Sequence, residues 1–142
     1  MEIIDNLYIG DRSVLSDDDL MPNIDIIISL HGVPCSHEIK RYCFDIADMN
    51  LDSDSPYFNS YKKDVISICE QAASIINSAL IDDMKVLVHC YSGINRSCLV
   101  VSYYMMKYLH HTFDQICSTL DRYRKDYLMN RMFRSILKEL EI

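Results

Sequence analysis

The chain has 142 residues, 49% of them hydrophobic and 25% charged, with three glycines, three prolines and a net charge of −7. That is one domain's length, apolar enough to bury a core, and too acidic for general attraction to nucleic acid or an anionic membrane surface. The charge is uneven: residues 1–60 carry three basic and twelve acidic side chains, residues 61–142 eleven and nine. Met1-Glu2-Ile3-Ile4-Asp5 does not read as a signal peptide, and no apolar stretch is expected to be long enough to span a bilayer. The six cysteines (35, 43, 69, 90, 98 and 117) lack paired or metal-ligand spacing. They read as reduced thiols of a cytoplasmic protein, with the nucleus as a second compartment and with no metal or other cofactor.

Leu7-Tyr8-Ile9-Gly10 reads as a short strand ending in a turn. Ser16-Asp17-Asp18-Asp19 supplies an N-cap and acidic first turn, the start of a short helix that stops before Pro22. Ile24-Asp25-Ile26-Ile27-Ile28-Ser29-Leu30 is a β-branched run predicted to be a strand buried on both faces, closed by His31-Gly32-Val33-Pro34. Tyr42 to Ile46 forms a third strand, and a polar, acidic loop runs from Asp48 to Ser60. From about Asp64 the spacing of Val65, Ile68, Ala72, Ile75, Ile76 and Ala79 predicts a helix. Val86–Val88 is the fourth strand. Helical segments follow at 96–109, 113–123 and 130–140, with Thr112 capping the second. Strands alternating with helices, then a helical tail, predict one α/β domain over residues 1–142. Its central, mostly parallel sheet has about four to five strands flanked by helices. The basic residues Arg122, Arg124, Lys125, Arg131 and Arg134 read as a solvated helix face, with a docking patch for an acidic or phosphorylated partner as the alternative.

One stretch carries chemistry: Val86-Leu87-Val88-His89-Cys90-Tyr91-Ser92-Gly93-Ile94-Asn95-Arg96-Ser97. A buried-looking strand delivers Cys90 to a short loop, and six residues later Arg96 opens a helix. A lone cysteine after apolar residues is usually core packing. The joint pattern argues otherwise. At the N-terminus of a helix, unpaired amides and the macrodipole favour a thiolate and a bound oxyanion alike. Arg96 offers a planar fork that can grip two phosphate oxygens, and Gly93 lets the loop turn with its amides inward.

The His89-Cys90…Gly93…Arg96-Ser97 signature resembles that of the cysteine-based protein tyrosine phosphatases, and the whole chain is most similar to a minimal dual-specificity phosphatase. Asn6-Leu7-Tyr8-Ile9-Gly10, Ile26–Leu30, Ala72-Ala73…Ile75-Ile76 and Phe133…Leu137…Leu140-Glu141 match further elements of that family. The resemblance implies a protein tyrosine phosphatase-like fold and a phosphorylated protein as substrate, on phosphotyrosine and phosphoserine or phosphothreonine. It implies Cys90 as the nucleophile and Arg96 with the loop amides of Tyr91, Ser92, Gly93, Ile94, Asn95 and Arg96 as the phosphate cradle. Ser97 would assist departure of the thiolate, and His89 would orient the loop. The general acid would be an aspartate after the third strand. Phe44-Asp45-Ile46-Ala47-Asp48 nominates Asp48, with Asp52 and Asp54 as alternatives, because the connection to Cys90 is longer than the family's by roughly ten residues. Relatives acting on phosphoinositides or RNA 5′-phosphates, and a non-catalytic phosphoprotein-binding module, are the rival readings. Lysines in the loop would mark the first, and loop histidine with threonine after the arginine the second; neither is present. A monomer or weak homodimer without nucleic-acid or membrane partners completes the expectation.

Overall fold

Val86, Leu87, Val88 and His89 are all buried, and the strand they form, β5 (Val86–His89), is the middle of a five-stranded sheet. The other strands are β1 (Glu2–Ile4), β2 (Leu7–Gly10), β3 (Ile26–Ser29) and β4 (Lys40–Cys43), in the order β1-β2-β5-β3-β4. Every pairing is parallel except β1 with β2. The helices are α1 (Phe58–Ile81), α2 (Arg96–Leu109), α3 (Phe113–Asp121) and α4 (Arg131–Glu139). The computed structural model describes residues 1–32, 35 and 37–141.

The two faces of the sheet are covered differently. Leu7, Ile9, Ile26, Ile28, Val86 and Val88 join the helices in the main core. Tyr8, Ile27 and Leu87 point the other way, onto Leu15, Met21 and Ile24 of the segment between β2 and β3. Burial on both faces is why β3 and β5 are continuous apolar runs with no polar alternation. Gly10, His89, Ser29 and Cys43 lie side by side in the ladder. The carboxyl ends of four strands are therefore level, and whatever follows each of them meets along one edge.

Several expectations are corrected. The strand β1 was not foreseen: it pairs with β2 across a tight turn in which Asn6 adopts a left-handed φ of 70°. In place of a helix from Ser16, a 3-10 turn spans Arg12–Ser16, capped by Asp11, and a second spans Met21–Asn23. Asp17 does bond the amides of Asp19 and Leu20, but as a turn between these two segments. Pro22 and the two-residue reach of the Asp11 cap favour short i→i+3 pieces there. The third strand starts two residues and ends three residues earlier than expected, at Lys40–Cys43; the Phe44 amide makes the last bond to β3, on Ser29 O, and the chain then leaves the sheet. Within the expected closing turn, Val33 and Pro34 lie outside the described residues.

The first helix starts at Phe58, six residues before Asp64, and so takes in the last three residues of the expected loop. It is long and apolar enough, by length and composition, to cross a membrane, contrary to the expectation that no segment would be. Its apolar stripe (Tyr61, Val65, Cys69, Ala72, Ala73, Ile76, Ala79) is buried in the core alongside α2. Thr112 caps α3 as expected, in a capping box: its hydroxyl accepts from the Gln115 amide at 3.2 Å, and the Gln115 side chain accepts from the Thr112 amide at 2.8 Å.

Candidate active site

Beyond β5 the chain curls from Cys90 to Arg96, and the carbonyl groups of this loop are held on its outside. Tyr91 O accepts from the Arg12 amide and from Arg12 Nη1, both at 3.2 Å. Ser92 O accepts from Arg124 Nη1 at 2.8 Å, Gly93 O from the Cys98 thiol at 3.5 Å, and Ile94 O from the Leu128 amide at 2.8 Å. All peptide bonds are trans among the described residues. In a trans peptide the next residue's N–H points opposite to the carbonyl. Four outward carbonyls therefore turn the amides of Ser92, Gly93, Ile94 and Asn95 inward. Gly93 has a φ of 73°, and a Cβ there would strike the Tyr123 hydroxyl, so the turn needs glycine twice over.

Cys90 sits under this ring of amides. Its residue surface is 1% exposed, but its sulfur has polar company: the Gly93 amide donates to Sγ at 3.1 Å, and Ser97 Oγ lies 3.3 Å away. Asn95 stands at the N-cap of α2 yet makes no capping hydrogen bond. The first-turn amides of α2 are thus left without a side-chain cap at the loop. Arg96 turns inward as well. Its Nη1 donates to Ile46 O at 2.8 Å and lies 3.5 Å from Leu30 O, while its Nε is buried without a protein partner. A guanidinium fixed at one corner, with an unpaired donor in the same fork, suits an oxyanion.

Asp48 reaches the loop from the segment after β4. Asn95 Nδ2 donates to its Oδ2 at 2.7 Å and Asn130 Nδ2 to its Oδ1 at 2.9 Å. The structure brings Cys90, Arg96, Ser97 and Asp48 to one edge of the sheet. Asp52 and Asp54 are exposed and make no side-chain hydrogen bond to the loop. Asp52 instead borders a cavity of about 480 Å³ shared with Phe58, Lys62 and Arg131.

A family model for the dual specificity phosphatase catalytic domain matches residues 7–142. The chain belongs to that family. Among curated relatives, this phosphatase domain is 30% identical to the dual specificity protein phosphatase MPK-4 of Drosophila melanogaster, over 80% of this chain and 28% of that protein. It is 30% identical to rat dual specificity protein phosphatase 12 over 61% of this chain and 25% of the relative. The domain thus spans about a quarter of these relatives' length. Protein 123R of Invertebrate iridescent virus 6 is 24% identical over 99% of this chain and 90% of its own. The crystal structure of human DUSP28 shares the fold with a TM-score of 0.80 at 14% identity, covering 99% of this chain and 94% of that one. DUSP15 does so with a TM-score of 0.76 at 22% identity, covering 99% and 86%.

Behind the phosphatase loop lies a polar chain that the sequence did not disclose. Arg41 Nε donates to Ser29 Oγ at 2.6 Å, and that hydroxyl lies 2.6 Å from His89 Nε2. Cys90 O, which faces Nδ1 at 3.3 Å, can only accept, so in the neutral ring Nδ1 carries the hydrogen and Nε2 accepts from the serine hydroxyl. His89 is fully buried, and loss of hydration lowers its pKa to about 4, so it is neutral near pH 7.

The segment bearing Asp48 is held just as closely by residues outside the signature. The Tyr61 hydroxyl donates to Ala47 O and accepts from the Met49 amide at 3.0 Å. Asn130 Nδ2 also donates to Met49 O at 2.7 Å, and the Met132 amide donates to Asn50 Oδ1 at 3.2 Å. Tyr61 fell between the expected loop and the expected helix, and Asn130 was read only as the start of the last helical segment.

Proposed function

We propose that this protein hydrolyses phosphate monoesters on protein side chains, phosphotyrosine and phosphoserine or phosphothreonine, through a phosphocysteine intermediate. The observation that carries this reading is Cys90 Sγ beneath the inward amides, with the inward-turned Arg96 fork on the same loop. The Cys90 thiolate attacks phosphorus as the ester P–O bond breaks. The departing alkoxide or phenolate takes the proton from the Asp48 carboxyl group. Water then attacks phosphorus, giving its proton to the Asp48 carboxylate, and the P–S bond breaks. Ser97 Oγ, 3.3 Å from the sulfur, donates a hydrogen bond to the thiolate as it leaves. Through both steps the amides and Arg96 carry the charge of the equatorial oxygens, which is where preorganised donors lower the barrier most. The neutral His89 fixes the Cys90 carbonyl at the strand end, so that the loop starts in one conformation.

The reading assigns a reducing compartment, cytoplasm or nucleus, in keeping with six free cysteines. It is tested by hydrolysis of p-nitrophenyl phosphate and of phosphopeptides by the native chain and Cys90→Ser in excess EDTA. Turnover by the native chain alone is expected. Phosphopeptide binding without turnover by either chain would make this a phosphate-reading module instead. Turnover of phosphoinositides in preference to every phosphopeptide would move the substrate class to lipid.

A further inference from the structure

We infer that Asn130 and Asn95 are positioning residues that hold the general acid against the phosphate loop, so that acid and nucleophile are assembled before substrate arrives. The inference rests on the phosphatase reading above and extends it to two side chains that reading leaves without a role, one of them on the phosphate loop itself. Asp48 sits on an exposed segment with no regular structure, where a carboxylate would ordinarily sample many positions. Here each of its oxygens accepts one amide hydrogen, at 2.7 Å from Asn95 and 2.9 Å from Asn130. Each oxygen keeps a second lone-pair position, so one of them can carry the transferable proton without breaking the brace.

The two asparagines also hold each other. The Asn130 amide donates to Asn95 Oδ1 at 3.0 Å, which fixes the flip of the Asn95 side chain and aims its Nδ2 at Asp48. Asn130 is itself fixed: it is 4% exposed, and its Oδ1 caps α4 by accepting from the Phe133 amide at 3.1 Å. Its Nδ2 grips both the Asp48 side chain and Met49 O. The path from nucleophile to acid therefore runs through rigid parts, from the start of α2 to the start of α4. Asn95 precedes Arg96, so the residue orienting the acid is adjacent to the residue gripping the phosphate.

A misplaced acid slows expulsion of poor leaving groups and hardly matters for good ones. The test compares kcat/KM for p-nitrophenyl phosphate with that for a phosphoserine peptide. Asn130→Ser retains an oxygen to cap α4 and removes the amide donors, so the helix end survives. In this variant the peptide rate should fall by about tenfold or more relative to the p-nitrophenyl phosphate rate. Asn95→Ala should move the same ratio in the same direction. In an Asp48→Asn background, Asn130→Ser should change the ratio by less than about twofold, because the two lesions act through one group. Equal slowing of both substrates by Asn130→Ser, or a full additional tenfold effect in the Asp48→Asn background, would overturn the inference while leaving the phosphatase reading intact. Absence of hydrolysis of either substrate by the native chain would overturn both.

Discussion

The two halves of the candidate site differ in how much of their shape is local. The loop from Cys90 to Ser97 is one continuous stretch between a central strand and a helix; a glycine at positive φ and the helix start set its turn, and Arg12, Arg124 and Leu128 hold three of its carbonyls from outside. The segment from Ile46 to Asn50 has no such internal logic. It is placed by Arg96, Tyr61, Asn95, Asn130 and Met132, which come from three different helices and the phosphate loop. The lesson is that the pattern of a candidate nucleophile loop can be read from one stretch of sequence, while the placement of the aspartate proposed to serve it depends on contacts scattered along the chain.

Damage to the local half should affect every substrate alike. Arg96→Lys keeps the charge and loses the fork, and should lower kcat/KM by about 10³-fold on aryl and alkyl phosphates equally. A loss below tenfold in steady-state assays would show that the guanidinium does not hold the oxyanion. Damage to the non-local half should discriminate. Asp48→Asn should cost at least about 10²-fold on a phosphoserine peptide and far less on p-nitrophenyl phosphate, with Asp52→Asn and Asp54→Asn close to native. Were Asp52→Asn the selective variant, the acid would lie in the cavity beside Lys62 and Arg131 instead.

A smaller effect separates the loop's support from its chemistry. His89 has a pKa lowered to about 4 by burial, against about 6.5 in an unfolded chain. The unfolded chain therefore takes up that proton first. Stability is unaffected above about pH 6.5 and declines as pH falls toward 4, by an amount on the order of 3 kcal/mol from this group. Urea unfolding at pH 7 and pH 4.5 should show a smaller pH-dependent loss in His89→Asn than in the native chain. Equal losses in the two chains would mean that the buried imidazole is not protonated on unfolding.

Much of this division was legible beforehand. The β-branched run at Ile26–Ser29 and the valines of β5 announced a doubly covered sheet, and Cys90 with Arg96 announced the loop. The strand at Glu2–Ile4 was missed because three residues carry too little pattern, and its pairing depends on the turn at Asn6. Asp48 was nominated but not separated from Asp52 and Asp54. What separates them is a pair of asparagine amides, one of them 82 positions away along the chain, and side-chain type alone does not reveal such a partnership. The end of the expected loop between Asp48 and Ser60 is helical, because α1 begins at Phe58.

The most direct test of the central claim is to mix the protein with a rapidly cleaved aryl phosphate, quench within one turnover and map the phosphoryl group by mass spectrometry. The account predicts a phosphoryl adduct on the peptide containing Cys90, more abundant in Ser97→Ala because departure of the thiolate is slowed. Turnover with no adduct on Cys90 in either chain, or turnover that survives in Cys90→Ser, would contradict it.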